Sequence, residues 1–327
     1  MIITRTPFRI SFFGGSTDYP AWYRTMGGAV LSTTINKYCY LTCRKLPPFF
    51  EHRSRIVWSL IENINDLDEI QHPSAREVLR FMDFSHGVSV HHDSDLPARS
   101  GLGSSSCFTV GLLHALHALK GKMLTKMELA KTAIHIEQNI LKENVGSQDQ
   151  IAASFGGFNK IEFSSHHNFS VHPVSIPREK IRDLNNHLML FFTGISRNAS
   201  EIAAEQIKTL GEKKKELETM RTMVDHAIAI INSPSDLNEF GKLLHEAWNI
   251  KRSLTNKIST PAIDTIYETA IQKGATGGKL LGAGGGGFIL FFVKPENQQN
   301  IRDALKNLLE VPFEFENHGS QIIFYNP

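Results

Sequence analysis

A glycine- and serine-rich stretch, Asp95–Ser106, carries residue types that bind anions. It follows the alternating apolar residues Val88 and Val90 and precedes apolar residues at helical spacing from Phe108 to Leu119. A strand, a tight glycine turn and a helix N-terminus direct free N–H groups and the positive end of the helix dipole at one point. Such a turn can cradle a phosphate, and a serine at the helix start can ligate Mg²⁺. The serines could equally cap the helix within a solvated loop, and the stretch alone does not decide between the two.

Two carboxylates further along the chain are candidates for metal or acid–base chemistry. Glu137 falls in the apolar stripe of a helix that the capping box Thr125–Glu128 opens. A carboxylate that faces a core costs free energy unless it is paired, hydrogen-bonded or bound to a metal, and a buried ion pair or a helix-edge position would also explain it. Asp149 lies in a short polar element between Gly146 and Gly156, where an isolated Asp is usually a cap or a surface residue.

A third segment, Gly282–Gly287, contains the spacing GxGxxG. A dinucleotide fingerprint follows a strand and opens a helix, whereas this segment is expected to follow a helix and open a strand. Walker, HExxH, His-Arg-Asp and Asp-Phe-Gly signatures are absent from the sequence. Four successive glycines weaken local structure, so we expect a close approach to a ligand or to another backbone, with a flexible linker as the alternative.

The elements that must position these residues indicate an α+β protein. We predict two domains, 1–160 and 161–327, joined near residues 156–165, with strands free to cross between them. The N-terminal part is strand-rich up to residue 50, with a short helix over 73–84 and a strand over 88–92. The later elements predicted are a hairpin tip at His166–Asn168, a strand at Leu188–Phe192, helices over Ser200–Ile231, Asp236–Leu254 and from Thr260-Pro261 to Gly274, a strand at Phe288–Val293, a helix over Gln298–Leu309 and a strand at Ile322–Tyr325.

Composition narrows the class of partner. The 327 residues carry a net charge of +2 with 41% hydrophobic and 21% charged residues, which gives no reason to expect a nucleic-acid or membrane partner. The three cysteines form no CxxC pair, and Cys39 and Cys43 are expected to be small buried residues. Without a signal-peptide core or an apolar run of spanning length, a reduced cytoplasmic location is expected.

Three separated segments resemble, in order, the three motifs of the GHMP small-molecule kinases. They are Pro7–Tyr19, Leu96–Ser106 and Gly282–Phe288. Within that family, Gly146–Gln150, Phe155–Asn159 and Thr193–Arg197 are similar to the kinases that act on a heptose 7-phosphate. The resemblance implies the two-domain GHMP fold, with an N-terminal ribosomal-S5-like domain and a C-terminal ferredoxin-like α/β domain. It also implies ATP and Mg²⁺ as cofactors and a sugar 1-phosphate as product.

The resemblance assigns roles residue by residue. Asp149 matches the Asp beside the acceptor hydroxyl, and Arg9 matches the Arg that neighbours it. Glu137 and Ser105 match the Mg²⁺ ligands. The phosphate-binding residues implied are Pro97, Gly101, Leu102, Gly103, Ser104, Ser105 and Ser106. The substrate-binding residues implied are Asp18, Gly15, Ser16, Arg197, Gly284, Gly285 and Gly286.

The acceptor is less closely constrained than the donor. Gly15-Ser16 replaces the Glu-His of galactokinases, which argues against galactose. A phosphorylated acceptor needs a second anion pocket, for which Arg197 is preferred over Arg24, Arg99, Lys251 and Arg252. A GHMP kinase for fucose, an isoprenoid or an amino-alcohol, and a non-catalytic binding protein of the same fold, are the alternatives, and a homodimer is left open.

Overall fold

The computed structural model describes residues 1–84, 87–164, 168–195, 199–234 and 236–327. Helices and strands alternate irregularly along the chain, as expected for an α+β protein. The strands are β1 (Ile2–Phe13), β2 (Gly28–Lys45), β3 (Ser54–Val57), β4 (Ile61–Ile64), β5 (Val88–Ser94), β6 (Phe158–Phe163), β7 (Phe169–Pro173), β8 (Leu188–Phe192), β9 (Ala275–Leu280), β10 (Phe288–Val293), β11 (Leu309–Glu310), β12 (Phe315–Glu316) and β13 (Gln321–Tyr325). The helices are α1 (Pro20–Met26), α2 (Pro73–Phe81), α3 (Ser104–Leu119), α4 (Lys126–His135), α5 (Gln148–Phe155), α6 (Arg178–Asn186), α7 (Ala199–Thr209), α8 (Lys214–Asn232), α9 (Asn238–Arg252), α10 (Pro261–Gln272) and α11 (Gln298–Ala304).

Within the described ranges, a nine-stranded sheet takes strands from both ends of the chain. Its main path is β13-β1-β2-β5-β3-β4, while β6 and β12 also pair with β2, and β7 pairs with β6. The long strand β2 reaches β6 through its first half and β5 through its second half. The predicted domain boundary at residue 160 lies within strand β6, which belongs to this sheet. The C-terminal strands β12 and β13 cross back to β2 and β1.

A second, four-stranded sheet follows the order β11-β8-β10-β9 among the described residues, and all its pairs are antiparallel. All six residues of β10 are buried, as its uninterrupted apolar run Phe288–Val293 predicts for a strand covered on both faces. Helix α9 packs on β9, and α3 packs on β1 and β2.

The helix signals in the sequence are largely confirmed. Thr125 and Glu128 make both hydrogen bonds of a capping box at the start of α4. The Thr260 hydroxyl accepts from the N–H of Ile263 at 3.3 Å, with Pro261 in the first turn of α10. The three cysteines are buried, in agreement with the expectation for Cys39 and Cys43.

Three local expectations are wrong. The helix predicted over Ser200–Ile231 is two helices, α7 and α8, separated by a turn that contains Gly211, because glycine weakens a helix interior. The 282–287 segment follows strand β9 rather than a helix, although it still opens strand β10. The helix predicted over Gln298–Leu309 ends at Ala304, and Leu309 lies in strand β11. The serine cap that the sequence left open for α3 is absent, because Gly103 occupies the N-cap with φ +83°. His166 and His167 of the predicted hairpin tip lie outside the described residues, while β6 and β7 pair as the hairpin requires.

In the described part of the chain, no helix is both long and apolar enough to cross a membrane.

Candidate active site

A cavity of about 310 Å³ lies where the loop after β5, the start of α5, the end of β1 and the loop after β9 meet. Its walls include residues of all three glycine-bearing motifs, among them Arg9, Gly103 and Gly282. These motifs are separated by most of the chain length, so the fold brings together what the sequence keeps apart. The cavity is the candidate active site.

Arg9 and Asp149 form a bidentate ion pair at the wall of this cavity. Arg9 projects from β1 and is 4% exposed, and Asp149 lies in the first turn of α5. The Arg9 Nε donates to Asp149 Oδ1 at 2.8 Å and the second guanidinium nitrogen donates to Oδ2 at 2.9 Å. A third bond runs from Arg9 to the carbonyl of Gly101 at 2.7 Å. One guanidinium therefore fixes the carboxylate and the glycine loop together, with the geometry that arginine forks favour.

The glycine loop faces Asp149 through backbone rather than side chains. Gly101 and Gly103 have φ values of +80° and +83°, and a Cβ on Gly103 would lie 3.4 Å from Asp149 Oδ2. Because Gly103 is the N-cap, the N–H groups of Ser104, Ser105 and Ser106 form the free first turn of α3. These three serines line the cavity, so the turn has the properties of an anion cradle.

Two residues predicted for this loop lie outside the cavity lining. Pro97 is exposed and Leu102 is completely buried. The carbonyl of Leu102 accepts a hydrogen bond from the Arg9 N–H at 3.1 Å, so Leu102 anchors the loop to the core and to β1. The Ser104 hydroxyl accepts from the N–H of Arg99 at 3.1 Å and closes the turn.

Glu137 is fully buried in a π-helical turn, Ile136–Ile140, that extends α4. Its Oε2 accepts hydrogen bonds from the Ser106 hydroxyl at 2.9 Å and from the Gln150 side-chain amide. Its Oε1 has no hydrogen-bond partner in the described part of the chain. Burial raises the pKa of Glu137 to about 7, while the hydrogen bond from Gln150 acts in the opposite direction.

The residues around Glu137 fit a hard divalent cation. A buried carboxylate with an unpartnered oxygen, next to serine hydroxyls in the first turn of α3, offers the oxygen ligands that Mg²⁺ prefers. The hydroxyl that contacts Glu137 belongs to Ser106, whereas Ser105 is exposed and lines the cavity. The serine matched by family resemblance and the one in contact are therefore neighbours on the same turn.

The other end of the cavity is organised around Asp18, which is 3% exposed. Its Oδ1 accepts from the Ser16 N–H at 3.0 Å and its Oδ2 accepts from the Gln148 N–H at 3.4 Å. A Cβ on Gly146 would lie 1.8 Å from Asp18 Oδ2, so only glycine permits this approach. Burial, and then the nearby Asp149 carboxylate, raise the pKa of Asp18. Gly15 and Ser16 also line this end.

The glycines of the third motif contact protein backbone. A Cβ on Gly282 would lie 2.5 Å from Gly101 Cα, and the N–H of Gly285 donates to the Ile258 carbonyl at 2.8 Å. A Cβ on Gly284 would meet Ile258, and one on Gly286 would meet Ile195. Gly282 lines the cavity, but Gly284, Gly285 and Gly286 are not among its lining residues. The segment therefore holds two other parts of the chain against each other. One is the loop at Gly101–Gly103, called the phosphate loop below, and the other is the connection between α9 and α10.

Two buried lysines complete the cavity wall. Lys251 is 5% exposed, its Nζ donates to the Gly282 carbonyl at 2.5 Å, and burial lowers the pKa of Lys251 to about 8. Lys279 is 4% exposed and donates to the carbonyls of Ser11 and Phe12 at 2.8 and 2.9 Å. Burial, followed by the charge of Lys251, lowers the pKa of Lys279 well below its ordinary range.

The sequence contained a signal for one of these lysines. Leu244, Ala247, Trp248 and Lys251 follow helical spacing and all are buried, so Lys251 interrupts an apolar stripe as Glu137 does. Lys279 and Gln206, which donates to the Ala283 carbonyl at 2.6 Å, were not predicted. Nothing local marks Lys279, because a strand of glycines and apolar residues does not indicate which side chain enters a cavity.

The basic residues considered for an acceptor phosphate are scattered. Arg99 and Lys251 line the cavity. Arg24 lies elsewhere, and Arg252 pairs with Asp264 at 3.5 Å. Arg197 lies outside the described residues, so its predicted role stays a prediction.

The cavity thus combines an anion-binding helix N-terminus, a bidentate Arg–carboxylate pair and a buried carboxylate suited to a metal, which are the elements of a small-molecule phosphotransferase. A model of the GHMP kinases N terminal domain matches residues 70–157, and one of the GHMP kinases C terminal matches residues 227–311. A D-glycero-alpha-D-manno-heptose 7-phosphate kinase of Campylobacter jejuni is 33% identical over 93% of this chain and 93% of the relative. The chain belongs to the GHMP kinase family, and it is an ATP-dependent phosphotransferase that acts on a sugar hydroxyl.

Two further proteins are similar to most of the chain. The crystal structure of a D-glycero-D-manno-heptose 1-phosphate kinase from Bacteroides thetaiotaomicron superposes with a TM-score of 0.83 at 25% identity and covers 100% of both chains. An L-fucokinase/L-fucose-1-P guanylyltransferase of Bacteroides fragilis is 26% identical over 92% of this chain and 35% of that protein.

Proposed function

We propose that the chain transfers the γ-phosphoryl group of ATP to the anomeric hydroxyl of D-glycero-D-manno-heptose 7-phosphate and forms the 1,7-bisphosphate. The observation that carries the proposal is the Asp149 carboxylate, held by Arg9 directly beside the phosphate-binding turn at Gly103. The identity of 33% over nearly the whole chain to a heptose 7-phosphate kinase supports the choice of acceptor. The Gly15-Ser16 pair at the Asp18 end supports an acceptor other than galactose.

In this proposal the chain supplies positioning and electrostatics, which dominate the catalysis of phosphoryl transfer. The N–H groups of the first turn of α3 bind the terminal phosphates of ATP. Asp149 orients the acceptor hydroxyl and accepts its proton as the bond from that oxygen to the γ-phosphorus forms and the bond to ADP breaks. Arg9 fixes the orientation of Asp149, and Asp18 with Ser16 binds the sugar hydroxyls.

We further propose that Glu137, with the hydroxyls of Ser105 and Ser106, holds Mg²⁺. A magnesium ion held there would offset the negative charge that develops on the phosphate oxygens in the transition state. The support is the unpartnered Oε1 and the contact of Oε2 with Ser106. A buried carboxylate that binds a cation must be ionised, so metal affinity is expected to fall at low pH.

If Glu137 binds Mg²⁺, the protein should lose stability at high pH without the ion and regain it when Mg²⁺ is added. Burial raises the folded pKa of Glu137 from 4.5 to about 7, so the folded state holds this proton more tightly than the unfolded state. The free energy of unfolding therefore contains a favourable contribution from this proton below pH 4.5, and that contribution is lost as the pH rises through 7. We expect this loss in the wild type and not in Glu137→Gln. Measured by urea denaturation in EDTA, the free energy of unfolding of the wild type should fall by about 3 kcal/mol more than that of the variant between pH 4 and pH 8.

Excess Mg²⁺ at pH 8 should restore the stability of the wild type and leave Glu137→Gln unchanged. Glu179→Gln, on the exposed side of α6, is the matched control and should follow the wild type throughout. Parallel pH profiles for the wild type and Glu137→Gln would contradict the assignment.

A panel of acceptors tests the proposed reaction. With ATP and Mg²⁺, the purified protein should show the highest kcat/KM for D-glycero-D-manno-heptose 7-phosphate, measured as ADP release. The 1-phosphate of the same heptose, the free heptose and L-fucose should be at least about 10²-fold poorer, because a site built for a charged group loses affinity when that group is absent or misplaced. The product should carry its new phosphate at the anomeric carbon by ³¹P NMR. Preference for heptose 1-phosphate or fucose would overturn the assigned acceptor.

We propose that Lys251 binds the phosphate group of the acceptor. Its ammonium lies at the Asp18 end of the cavity and is buried, so a phosphate there would interact with it in a low dielectric. In the same panel Lys251→Met should raise the KM for heptose 7-phosphate far more than the KM for ATP. Lys242→Met, on the exposed face of the same helix, is the control and should change neither value.

A further inference from the structure

A second cavity, unrelated to the active site, lies on the face of the nine-stranded sheet opposite the core. Side chains of a strand alternate between the two faces, and Cys43, Ile56 and Val90 are buried in the core. Their neighbours Arg44, Arg55, Ser89 and His91 therefore point the other way, where they line a cavity of about 280 Å³, the outer-face cavity. It shares no lining residue with the active-site cavity among the described residues.

The strand register places two arginines in one row of this face. Arg44 of β2 pairs with Ser89 of β5, and Ser89 pairs with Arg55 of β3. Neighbouring strands are about 4.8 Å apart, so the two arginine backbones are separated by roughly 10 Å with a serine between them. His91 stands in the next row, opposite Thr42. Two like charges about 10 Å apart repel each other weakly in water and more strongly where solvent is excluded.

Within the described ranges, no acidic side chain contacts either arginine. No Asp or Glu is among the described residues that line the outer-face cavity. Neither Arg44 nor Arg55 makes an ion pair within the described ranges, and the Nε of Arg55 is buried without a hydrogen-bond partner there. Burial, followed by the charges of Arg55 and Arg44, lowers the pKa of His91. The charges of the two arginines are therefore left without a contacting carboxylate in the described part of the chain.

We propose that the outer-face cavity binds the phosphate group of a small phosphorylated molecule, at a site separate from the active site. A phosphate between Arg44 and Arg55 neutralises both guanidinium groups, whose forks match phosphate geometry, and changes the environment of the buried Arg55 Nε–H. The hydroxyl of Ser89 lies in the same row. Phe50, which is 49% exposed and stacks on His52 with ring centroids 5.6 Å apart, forms an apolar wall for the rest of such a molecule.

The test follows the Nε–H resonance of Arg55 by ¹H–¹⁵N NMR, with inorganic phosphate as the probe. The active site is first saturated with Mg²⁺ and a non-hydrolysable ATP analogue, and the resonance is assigned by its loss in Arg55→Lys. Phosphate should shift this resonance in a saturable way. Arg44→Ala should raise the half-saturating concentration at least about tenfold, the size expected for a lost charge-assisted hydrogen bond. Arg53→Ala, an exposed neighbour outside the cavity lining, should leave it unchanged.

A resonance that phosphate does not shift, or an equal half-saturating concentration in the wild type and Arg44→Ala, would overturn the proposal. Arg44 is exposed, so its replacement is not expected to unfold the protein. The kcat and the KM for ATP should stay at wild-type values in Arg44→Ala, because the cavity shares no residue with the active site.

Discussion

Asp149→Asn should lower kcat by about 10²- to 10⁴-fold, the range by which a positioned general base accelerates a reaction. Asparagine keeps the size of the side chain but cannot accept the proton of the acceptor hydroxyl. The phosphate loop should stay in place, because Arg9 retains its hydrogen bond to the Gly101 carbonyl. The affinity for ATP, measured by equilibrium binding of a fluorescent nucleotide, should therefore change little while ADP release nearly stops.

Two measurements keep this experiment decisive. Loss of the carboxylate leaves the guanidinium of Arg9, which is 4% exposed, with fewer partners, so the variant is first tested for cooperative thermal unfolding. Asp225→Asn is the matched control, since Asp225 pairs with Lys160 at 2.7 Å on the surface and should be dispensable. Turnover of folded Asp149→Asn within a few-fold of the wild type would exclude Asp149 as the base.

Gly101→Ala should produce the second large effect, a loss of roughly 10²-fold in kcat/KM for ATP, because displacement of a binding group by about 1 Å is that costly. A Cβ on Gly101 would lie 2.5 Å from the Leu281 carbonyl oxygen, at φ +80°. The obstacle is backbone, so the phosphate loop and the third glycine segment must separate. The N–H groups of the first turn of α3 would move with them.

A matched glycine separates the steric effect from the backbone strain. Gly121 also has a positive φ, +67°, but no atom lies within 4 Å of the Cβ that Ala would add. Gly121→Ala should therefore cost only about 1 kcal/mol of unfolding free energy for the left-handed conformation, without loss of kcat/KM. If both variants retained activity, the contact between the two glycine loops would have no role in the site.

The part of the proposed site that faces the phosphate donor could be located from the sequence, because its signals lie close together in the chain. The order strand, glycine turn and helix around Gly101–Ser106 allowed either an anion cradle or a serine-capped loop, and the structure removes the second by placing Gly103 at the N-cap. The capping box at Thr125 is confirmed, and of the positions left open for Glu137 the structure shows the buried one. Each of these inferences depends on residues within one or two helical turns of each other, where spacing alone fixes geometry.

The acceptor half depends on contacts that no local pattern encodes. Lys279 enters the cavity because β9 pairs with β10 in one register, and Gly146 is required by a carboxylate far away in sequence, Asp18. The choice of serine beside Glu137 shows the same limit. One residue along a helix rotates a side chain by about 100°, so the N-cap at Gly103 decides that Ser106 rather than Ser105 contacts Glu137.

The sequence by itself determined the family resemblance, through three motifs in a fixed order, and the starts of helices α4 and α10, through capping residues within one turn of each other. It placed Glu137 in an apolar stripe, but it left open whether that carboxylate is buried and whether the glycine turn binds an anion. Only the tertiary structure decided which residues share one cavity, that both chain ends enter one sheet, and that Arg44 and Arg55 stand in one row. The physical reason is that strand register and close backbone approach arise from packing between distant segments. Their energies depend on partners that no window of the sequence contains.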